Sequence, residues 1–279
     1  MRDAYAHCEA LIRSEDKDRF LAALFLPPTV RPHAFALYAF NAEIAAVRGR
    51  ARDPLAGEIR LQWWRDALAG RAAGGVSGNP VAAALADTIE KKNLPVDILE
   101  RLIEAREFDL HNDPMPSSAA FEAYVRLTAS SLFDLTGILL VGQGTALVAA
   151  CGHAGLAYGI TGLLRAIPMH ASRGQIYLPA DLLAHHHVDH SEILSGTTNQ
   201  ALLDALAAMR EKAWEHFAEV DRLLSALPPK VQPAFLPLVL VNAYLSRMER
   251  GGYDPFTTPI EIPQWRRQWM LWRAARRAP

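Results

Sequence analysis

The sequence predicts an all-α fold, and three observations support this prediction. Apolar residues recur at helical spacing along almost the whole chain, no stretch of period-2 alternation is long enough to indicate a sheet, and prolines and glycines divide the chain into helix-sized segments. The 279 residues are 51% hydrophobic and 21% charged. We therefore expect one helical domain over 1–279 with a well-buried core.

Breakers set the helix boundaries in the first part of the chain. Each combines prolines or glycines with a residue that favours a helix end, and proline also fits the first turn of the next helix. A short helix pair comes first, and the helix after Pro32 runs through Ala45. The predicted breaks are Leu26-Pro-Pro28, Asp53-Pro54, a surface loop from Gly70 to Asn79, the helix start at Asn79-Pro80, and Asn93-Leu-Pro95.

Two long apolar helices follow, over about 119–141 and 145–166. Their near-complete lack of charged residues predicts burial on most sides, so we place them at the centre of the bundle. Pro168 ends the second helix, and a short extended stretch leads to Pro179. Later helices are predicted over about 199–227 and 230–250, and residues 251–279 form a loop and a terminal helix over about 262–277.

Composition excludes several classes of function. The formal charge is −1, so no global basic field indicates nucleic acid as a partner. The two cysteines, Cys8 and Cys151, are far apart, which argues against a disulfide framework. A secretory signal and an uninterrupted run of about 18 apolar residues are both missing, which predicts a cytoplasmic protein with no membrane span.

Five short segments occur in an order and spacing typical of one enzyme family. They are Phe20-Leu-Ala-Ala-Leu-Phe-Leu-Pro27, Ala36-Leu-Tyr-Ala-Phe40, Leu61-Gln-Trp-Trp64, Glu104-Ala-Arg106 and Arg173-Gly-Gln-Ile-Tyr-Leu-Pro179. With these segments the chain resembles the squalene and phytoene synthases from about Asp18 to Glu249. The resemblance implies a single-domain bundle of the isoprenoid synthase type with a central cavity.

The resemblance also shows which side chains are missing. In that family two aspartate-rich motifs hold Mg²⁺, which neutralises the diphosphate leaving group. The corresponding positions here are Ala45, Ala46 and Gly49 in the first motif, and Ala166 and His170 in the second. None is a carboxylate, so we expect no catalytic residue, metal or cofactor at these positions. Mg²⁺ would be required only if the chain were a diverged synthase.

One branch of the family has matching substitutions. The chain resembles respiratory complex I assembly factors and their bacterial relatives in Ala39-Phe-Asn-Ala-Glu43, Gln62-Trp-Trp64, Thr128-Ala-Ser-Ser-Leu132 and Leu164-Arg-Ala-Ile-Pro-Met-His-Ala-Ser-Arg173. This implies a non-catalytic role in complex I assembly, with a complex I subunit or another assembly factor as the partner. Two alternatives remain: a diverged squalene or phytoene synthase-type prenyltransferase, and a module that binds a prenyl lipid.

Basic residues flank the positions that lack carboxylates. If the family fold holds, four arginines surround the former metal site, and with Tyr177 they are candidates for binding a prenyl diphosphate or another anionic lipid headgroup without metal. The alternative is that two lie on a solvated helix end and two fix a structural turn. The four arginines are Arg48, Arg50, Arg165 and Arg173.

The fold's apolar cavity is a second candidate site. Six residues are candidates for lining a tunnel that accepts a prenyl or quinone tail, although each is equally explained as ordinary core. They are Phe40, Leu127, Leu132, Leu135, Leu163 and Phe235.

The C-terminal segment combines tryptophans with arginines. Trp265, Trp269 and Trp272 share one helical face, and residues 264–277 include five arginines and no acidic residue. Such a helix suits an anionic membrane surface, which would place the protein peripherally on the inner face of a membrane. The alternative is that the tryptophans dock on the bundle, and we favour this second interpretation.

Overall fold

The computed structural model describes residues 1–72 and 75–276, apart from the side chains of residues 145 and 146. Over these residues the chain folds into α-helices and short helical turns without any β-strand, which confirms the predicted all-α class. Two parts of the predicted segments lie outside the described residues: 73–74 in the glycine-rich loop and 277 in the tail.

The helices are numbered in chain order. They are α1 (Arg2–Glu15), α2 (Lys17–Ala23), α3 (Arg31–Ala45), α4 (Val47–Arg50), α5 (Pro54–Leu68), α6 (Pro80–Lys92), α7 (Val96–Ala105), α8 (Ser118–Val125), α9 (Ser131–Val141), α10 (Thr145–Arg165), α11 (Ile167–Ser172), α12 (Ala180–His185), α13 (His190–Leu194), α14 (Gln200–Leu224), α15 (Leu238–Met248) and α16 (Gln264–Ala275). There are also two 3₁₀ turns, Phe108–Leu110 and Pro229–Phe235, and a π-helical turn, Arg126–Ser130.

The predicted helix starts have the expected capping contacts. The Asp53 side chain accepts a hydrogen bond from the Ala56 amide, and the Asn79 side chain accepts from the amides of Val81 and Ala82. In both helices proline occupies the first turn, where its missing amide proton costs nothing. Asn93 ends α6 in the left-handed conformation, with φ of 49°. Local sequence chemistry therefore fixes α5 and α6.

The segment from Ser118 to Val141 is one continuous helix with an irregular middle. A π-helical turn at Arg126–Ser130 joins α8 to α9. At this turn the Ser130 hydroxyl donates to the Gly152 carbonyl at 3.0 Å. The turn lies against α10, where a Cβ atom at Gly155 would overlap the Ser130 backbone, and periodicity did not predict it.

Two helices reach the length and apolar composition of a membrane span. They are Ser118–Val141 and Leu147–Arg165, with mean hydropathies of 1.3 and 1.5. Of these apolar windows, 67% and 56% are buried within the bundle, so their composition is that of core helices, and α10 packs chiefly against α14. This agrees with their predicted central position.

One predicted helix is divided. The expected helix over 230–250 instead consists of the 3₁₀ turn Pro229–Phe235 followed by α15. Pro233 and Pro237 lack the amide proton that a continuous helix needs at these positions, so an α-helix forms only after the second proline.

The core consists of two groups of buried apolar side chains. The first group contains side chains from α1 to α3 and α5 to α7. The second contains side chains from α8 and α10 to α14, and α9 and α15 contribute side chains to both groups. Leu140 and Ile260 pack against both groups. The candidate site lies where the end of α3 and α4 approaches the end of α10 and α11.

Candidate functional site

The two motif segments lie close together, and we call the surface formed by Arg48, Gly49, Asn112 and Arg173 the cleft. Arg48 on α4 donates to the Asn112 side-chain oxygen at 3.0 Å. A Cβ atom added to Gly49 would lie 3.7 Å from the Arg173 guanidinium, and one added to Gly174 would lie 3.4 Å from the Asn112 amide nitrogen. The structure therefore brings Arg48 and Arg173 together around Asn112, a residue that the sequence motifs did not single out.

The five positions that the resemblance matches to the family's metal ligands carry no carboxylate. Ala45 and Gly49 are exposed on their side of the cleft, while Ala46, Ala166 and His170 are half-buried. In the described part of the chain, no three His, Cys, Asp or Glu side chains are grouped so that they could hold a metal ion. Mg²⁺ prefers carboxylate and other oxygen ligands, so this set of side chains does not fit the family's metal.

The buried acid nearest this arrangement is Asp109, and its oxygens are already occupied. One oxygen accepts hydrogen bonds from the hydroxyls of Tyr124 (2.8 Å) and Tyr177 (2.7 Å), and the other accepts from Arg106 at 3.1 Å. Arg106 also donates to Asn41 on α3 at 3.2 Å. Arginine thus supplies the positive charge that neutralises this carboxylate, as expected for a buried acid.

Burial and the neighbouring carboxylate keep both tyrosines protonated. For Tyr124 and Tyr177, loss of solvent is the largest cause that raises the pKa far above its ordinary value, and Asp109 raises the pKa of each further. Both hydroxyls therefore act as hydrogen-bond donors at any physiological pH. Tyr177, a predicted anion-binding residue, here donates to a protein carboxylate.

His170 lies beside this cluster. Its ring centre is 4.5 Å from that of Tyr177, and both residues line a cavity of about 20 Å³, room for a single water molecule. Burial is the main cause that lowers the pKa of His170 to about 4, and the cations Arg173 and Arg106 contribute to this shift against the opposing effect of Asp109. His170 is therefore neutral at pH 7.

This low pKa predicts a pH-dependent stability. The unfolded chain protonates His170 as the pH falls below 6.5, but the folded chain does so only near pH 4, so stability is complete above pH 6.5 and is lost as the pH falls toward 4. The stability lost over this pH range amounts to about 3 kcal/mol.

In urea denaturation at pH 4.5 and pH 7, His170→Gln should lose less stability on acidification than the wild type does. Burial also lowers the pKa values of His33 and His216, but the wild type and the His170→Gln variant both contain these residues, so the difference between the two proteins reports His170. An identical loss in both proteins would contradict this assignment.

The other two predicted arginines have partners elsewhere. Arg50 donates to Glu43 at 3.1 Å on the outside of the first motif. Arg165 donates to the buried Asp18 at 3.4 Å, and its guanidinium carbon lies 3.6 Å from the centre of the Tyr244 ring. The expected convergence of four arginines is thus reduced to Arg48 and Arg173, because Arg165 fixes a separate buried contact between α10 and α2.

The six predicted cavity residues are divided between the two parts of the core. Phe40, Leu132 and Leu135 belong to the first group, Leu163 and Phe235 contact the second, and Leu127 is half-buried. Phe40 packs edge-on against Trp64 at 5.1 Å, and Phe235 stacks on Phe133 at 5.9 Å. These are ordinary core contacts, and the lining of a lipid tunnel by these residues stays a prediction.

The terminal helix contacts the bundle through the face opposite the tryptophans, whereas the sequence analysis favoured docking of the tryptophans. The α16 helix packs on α2 and α15, and its own residue Leu271 is fully buried. Trp265, Trp269 and Trp272 point outward and are 70%, 50% and 45% exposed. The preferred interpretation, in which the tryptophans dock on the bundle, is therefore wrong, because a leucine and the paired Arg267 provide the contact.

Comparison with known proteins agrees with this arrangement of helices and motifs. The family model for squalene/phytoene synthase matches residues 12–273, so the chain belongs to the squalene/phytoene synthase family. It is 31% identical over 259 residues to NADH dehydrogenase (ubiquinone) complex I, assembly factor 6, of Rattus norvegicus, covering 93% of this chain and 78% of the rat protein.

Similarity to synthases is weaker in sequence but extends over the whole fold. Phytoene synthase of Arthrospira platensis is 22% identical over 294 residues, covering 99% of this chain and 94% of that protein. The crystal structure of squalene synthase HpnC from Alicyclobacillus acidocaldarius superimposes with a TM-score of 0.78 at 25% identity, covering 91% of this chain and 96% of the other. The isoprenoid synthase fold predicted from the motifs is confirmed.

Proposed function

We propose that this chain acts in the assembly of respiratory complex I and does not catalyse prenyl coupling. The observation that carries this proposal is the 31% identity to a relative named as a complex I assembly factor, against 22% to a phytoene synthase. Its partner is then a complex I subunit or another assembly factor. We place the protein in the cytoplasm, at the inner face of the membrane that holds complex I.

The chemistry of the cleft supports a non-catalytic role. Departure of diphosphate from an allylic carbon develops negative charge that a synthase neutralises with metal held by carboxylates. Here Ala45, Gly49 and Ala166 supply no ligand, and Asp109 is paired with Arg106 and accepts hydrogen bonds from two tyrosines. A residual prenyltransferase activity would need another way to stabilise the leaving group.

Deletion of the gene tests the proposal. Membranes of a deletion strain should show several-fold lower NADH:ubiquinone oxidoreductase activity and partly assembled complex I on native gels, with normal amounts of squalene and carotenoid. Expression of the wild-type chain should restore the activity. Normal complex I together with altered isoprenoid content would refute the proposed role and favour the synthase alternative.

The arginines of the cleft support binding of an anionic headgroup as a finer part of the same proposal. Arg48 donates to Asn112, and the Arg173 guanidinium lies beside Gly49, so the two arginines are close to the same surface. Guanidinium groups bind phosphate oxygens with charge-assisted hydrogen bonds that need no metal. The ligand class is a prenyl diphosphate or another lipid with an anionic headgroup.

Calorimetric titration with farnesyl diphosphate in EDTA tests this binding. Arg48→Gln combined with Arg173→Gln should weaken binding by about a hundredfold or more, because each lost charged hydrogen bond contributes about 1.5–3 kcal/mol. Arg50→Gln is the matched control, since Arg50 pairs with Glu43 outside the cleft. Absence of binding by the wild type, or equal weakening by the control, would show that the cleft is not the site.

A further inference from the structure

Three large apolar side chains are exposed together on α16. We call this surface the tryptophan face, formed by Trp265, Trp269 and Trp272. Successive helical residues are rotated by about 100°, so these three side chains fall within about 60° of one another. The exposed fractions of 70%, 50% and 45% are high for the largest apolar side chain. Three of the chain's six tryptophans are thus displayed side by side.

The orientation of this face is fixed by the opposite side of the helix. Arg267 donates to the buried Asp18 at 3.0 Å and to the Ile262 carbonyl at 2.8 Å. Leu271 is fully buried one turn later. Turning the tryptophans inward would expose Leu271 and leave Asp18 without one of its donors. The outward orientation is therefore part of the folded structure.

The exposed charged residues of α16 are all arginines. Arg266, Arg273 and Arg276 are exposed, and residues 263–276 contain no acidic side chain. The guanidinium carbon of Arg273 lies 5.2 Å from the Trp269 ring centre, and that of Arg276 lies 4.2 Å from the Trp272 ring centre. Each arginine thus reaches the same outer surface as a tryptophan.

We propose that the tryptophan face binds the surface of an anionic phospholipid membrane, with α16 lying parallel to the membrane plane. Tryptophan prefers the interface between headgroups and acyl chains, and arginine pairs with lipid phosphates at the same depth. A second copy of the chain would fit less well, because an isologous contact would bring the same arginines against each other. The positive charge selects anionic over zwitterionic lipid.

Flotation of the full chain with vesicles tests the proposal. The protein should float with vesicles containing phosphatidylglycerol and only weakly with vesicles of phosphatidylcholine. Replacing Trp265, Trp269 and Trp272 by glutamine should reduce binding about tenfold or more, since partitioning scales with the apolar area buried. Leu55→Gln with Ile59→Gln is the matched control, because these side chains on α5 are 65% and 63% exposed outside the tryptophan face.

A second variant separates charge from apolar contact. Replacing Arg266, Arg273 and Arg276 by glutamine should remove the preference for phosphatidylglycerol and the sensitivity of binding to salt. Unchanged flotation of the tryptophan variant, or equal loss in the α5 control, would overturn the proposal. The proposal would also be overturned if the tryptophan substitutions left vesicle binding unchanged and only converted a dimer into a monomer without lipid, because the face would then bind a second copy of the chain. The deletion strain tests the role in complex I assembly separately, so failure of membrane binding in the flotation assay would not refute that role.

Discussion

Replacing Asp18 by alanine is expected to lower the free energy of unfolding by about 3–5 kcal/mol, the cost of leaving buried charges without their partner. Asp18 is 6% exposed and joins three helices. One carboxylate oxygen accepts from Tyr244 at 2.7 Å and from Arg165 at 3.4 Å, and the other accepts from Arg267 at 3.0 Å. Loss of the carboxylate would leave two arginines facing each other in the bundle.

Urea denaturation of the purified variant measures this effect. The matched control is Glu9→Ala, which removes an exposed ion pair with Arg13 whose side chains are 42% and 65% exposed. Exposed pairs contribute at most about 1 kcal/mol, so the control should unfold close to the wild type. If both variants lose the same small amount, Asp18 does not organise the contact of α2 with α10, α15 and α16.

Replacing Gly155 by alanine is expected to destabilise the chain by about 3 kcal/mol, at the upper end of the cost of overpacking a core. A Cβ atom at Gly155 would overlap the backbone of Ser130 in the π-helical turn. Backbone atoms cannot turn away as a side chain can, so α9 and α10 would have to separate. The same methyl group would disturb the hydrogen bond from Ser130 to the Gly152 carbonyl.

Gly162→Ala on the same helix is the matched control. A Cβ atom at Gly162 would meet no other atom within 4 Å, and alanine favours a helix over glycine by up to about 1 kcal/mol. Thermal denaturation should therefore show a lower midpoint for Gly155→Ala and an equal or higher midpoint for Gly162→Ala. A similar change in both would mean that helix propensity, rather than the close crossing of α9 and α10, decides the result.

Local sequence chemistry predicted the helices well and their irregularities poorly. Asp53-Pro54 and Asn79-Pro80 start helices as expected, because capping depends on residues within one turn. The π-helical turn at Arg126–Ser130 has no such local cause. The turn packs its residue Ser130 against Gly155 on α10, a contact that periodicity along one segment does not contain.

The candidate site was only partly predictable for a similar reason. The motif positions included Arg48 and Arg173, which the structure brings close together, but the partner of each charge depended on distant segments. Arg165 pairs with Asp18, 147 positions away, and Arg267 pairs with the same acid across 249 positions. Asp109 was missed entirely, although Arg106 three residues earlier was part of a recognised segment.

The terminal helix shows what helical spacing can predict and what it cannot. The spacing of Trp265, Trp269 and Trp272 correctly placed them on one face, but it could not decide whether that face or the one with Leu271 contacts the bundle. The buried pair of Arg267 with Asp18 decides the orientation, and that pair joins the two ends of the chain. Amphipathic patterns define faces, and tertiary partners determine which face is covered.

The most direct test of the account is a turnover assay. The purified chain is incubated with farnesyl diphosphate or geranylgeranyl diphosphate, Mg²⁺ and NADPH, beside an active squalene synthase, and the products are separated by chromatography. A cleft without carboxylates at the positions of Ala45, Gly49, Ala166 and His170 predicts no coupled product. Formation of squalene, phytoene or a presqualene intermediate that depends on Mg²⁺ would contradict the central claim.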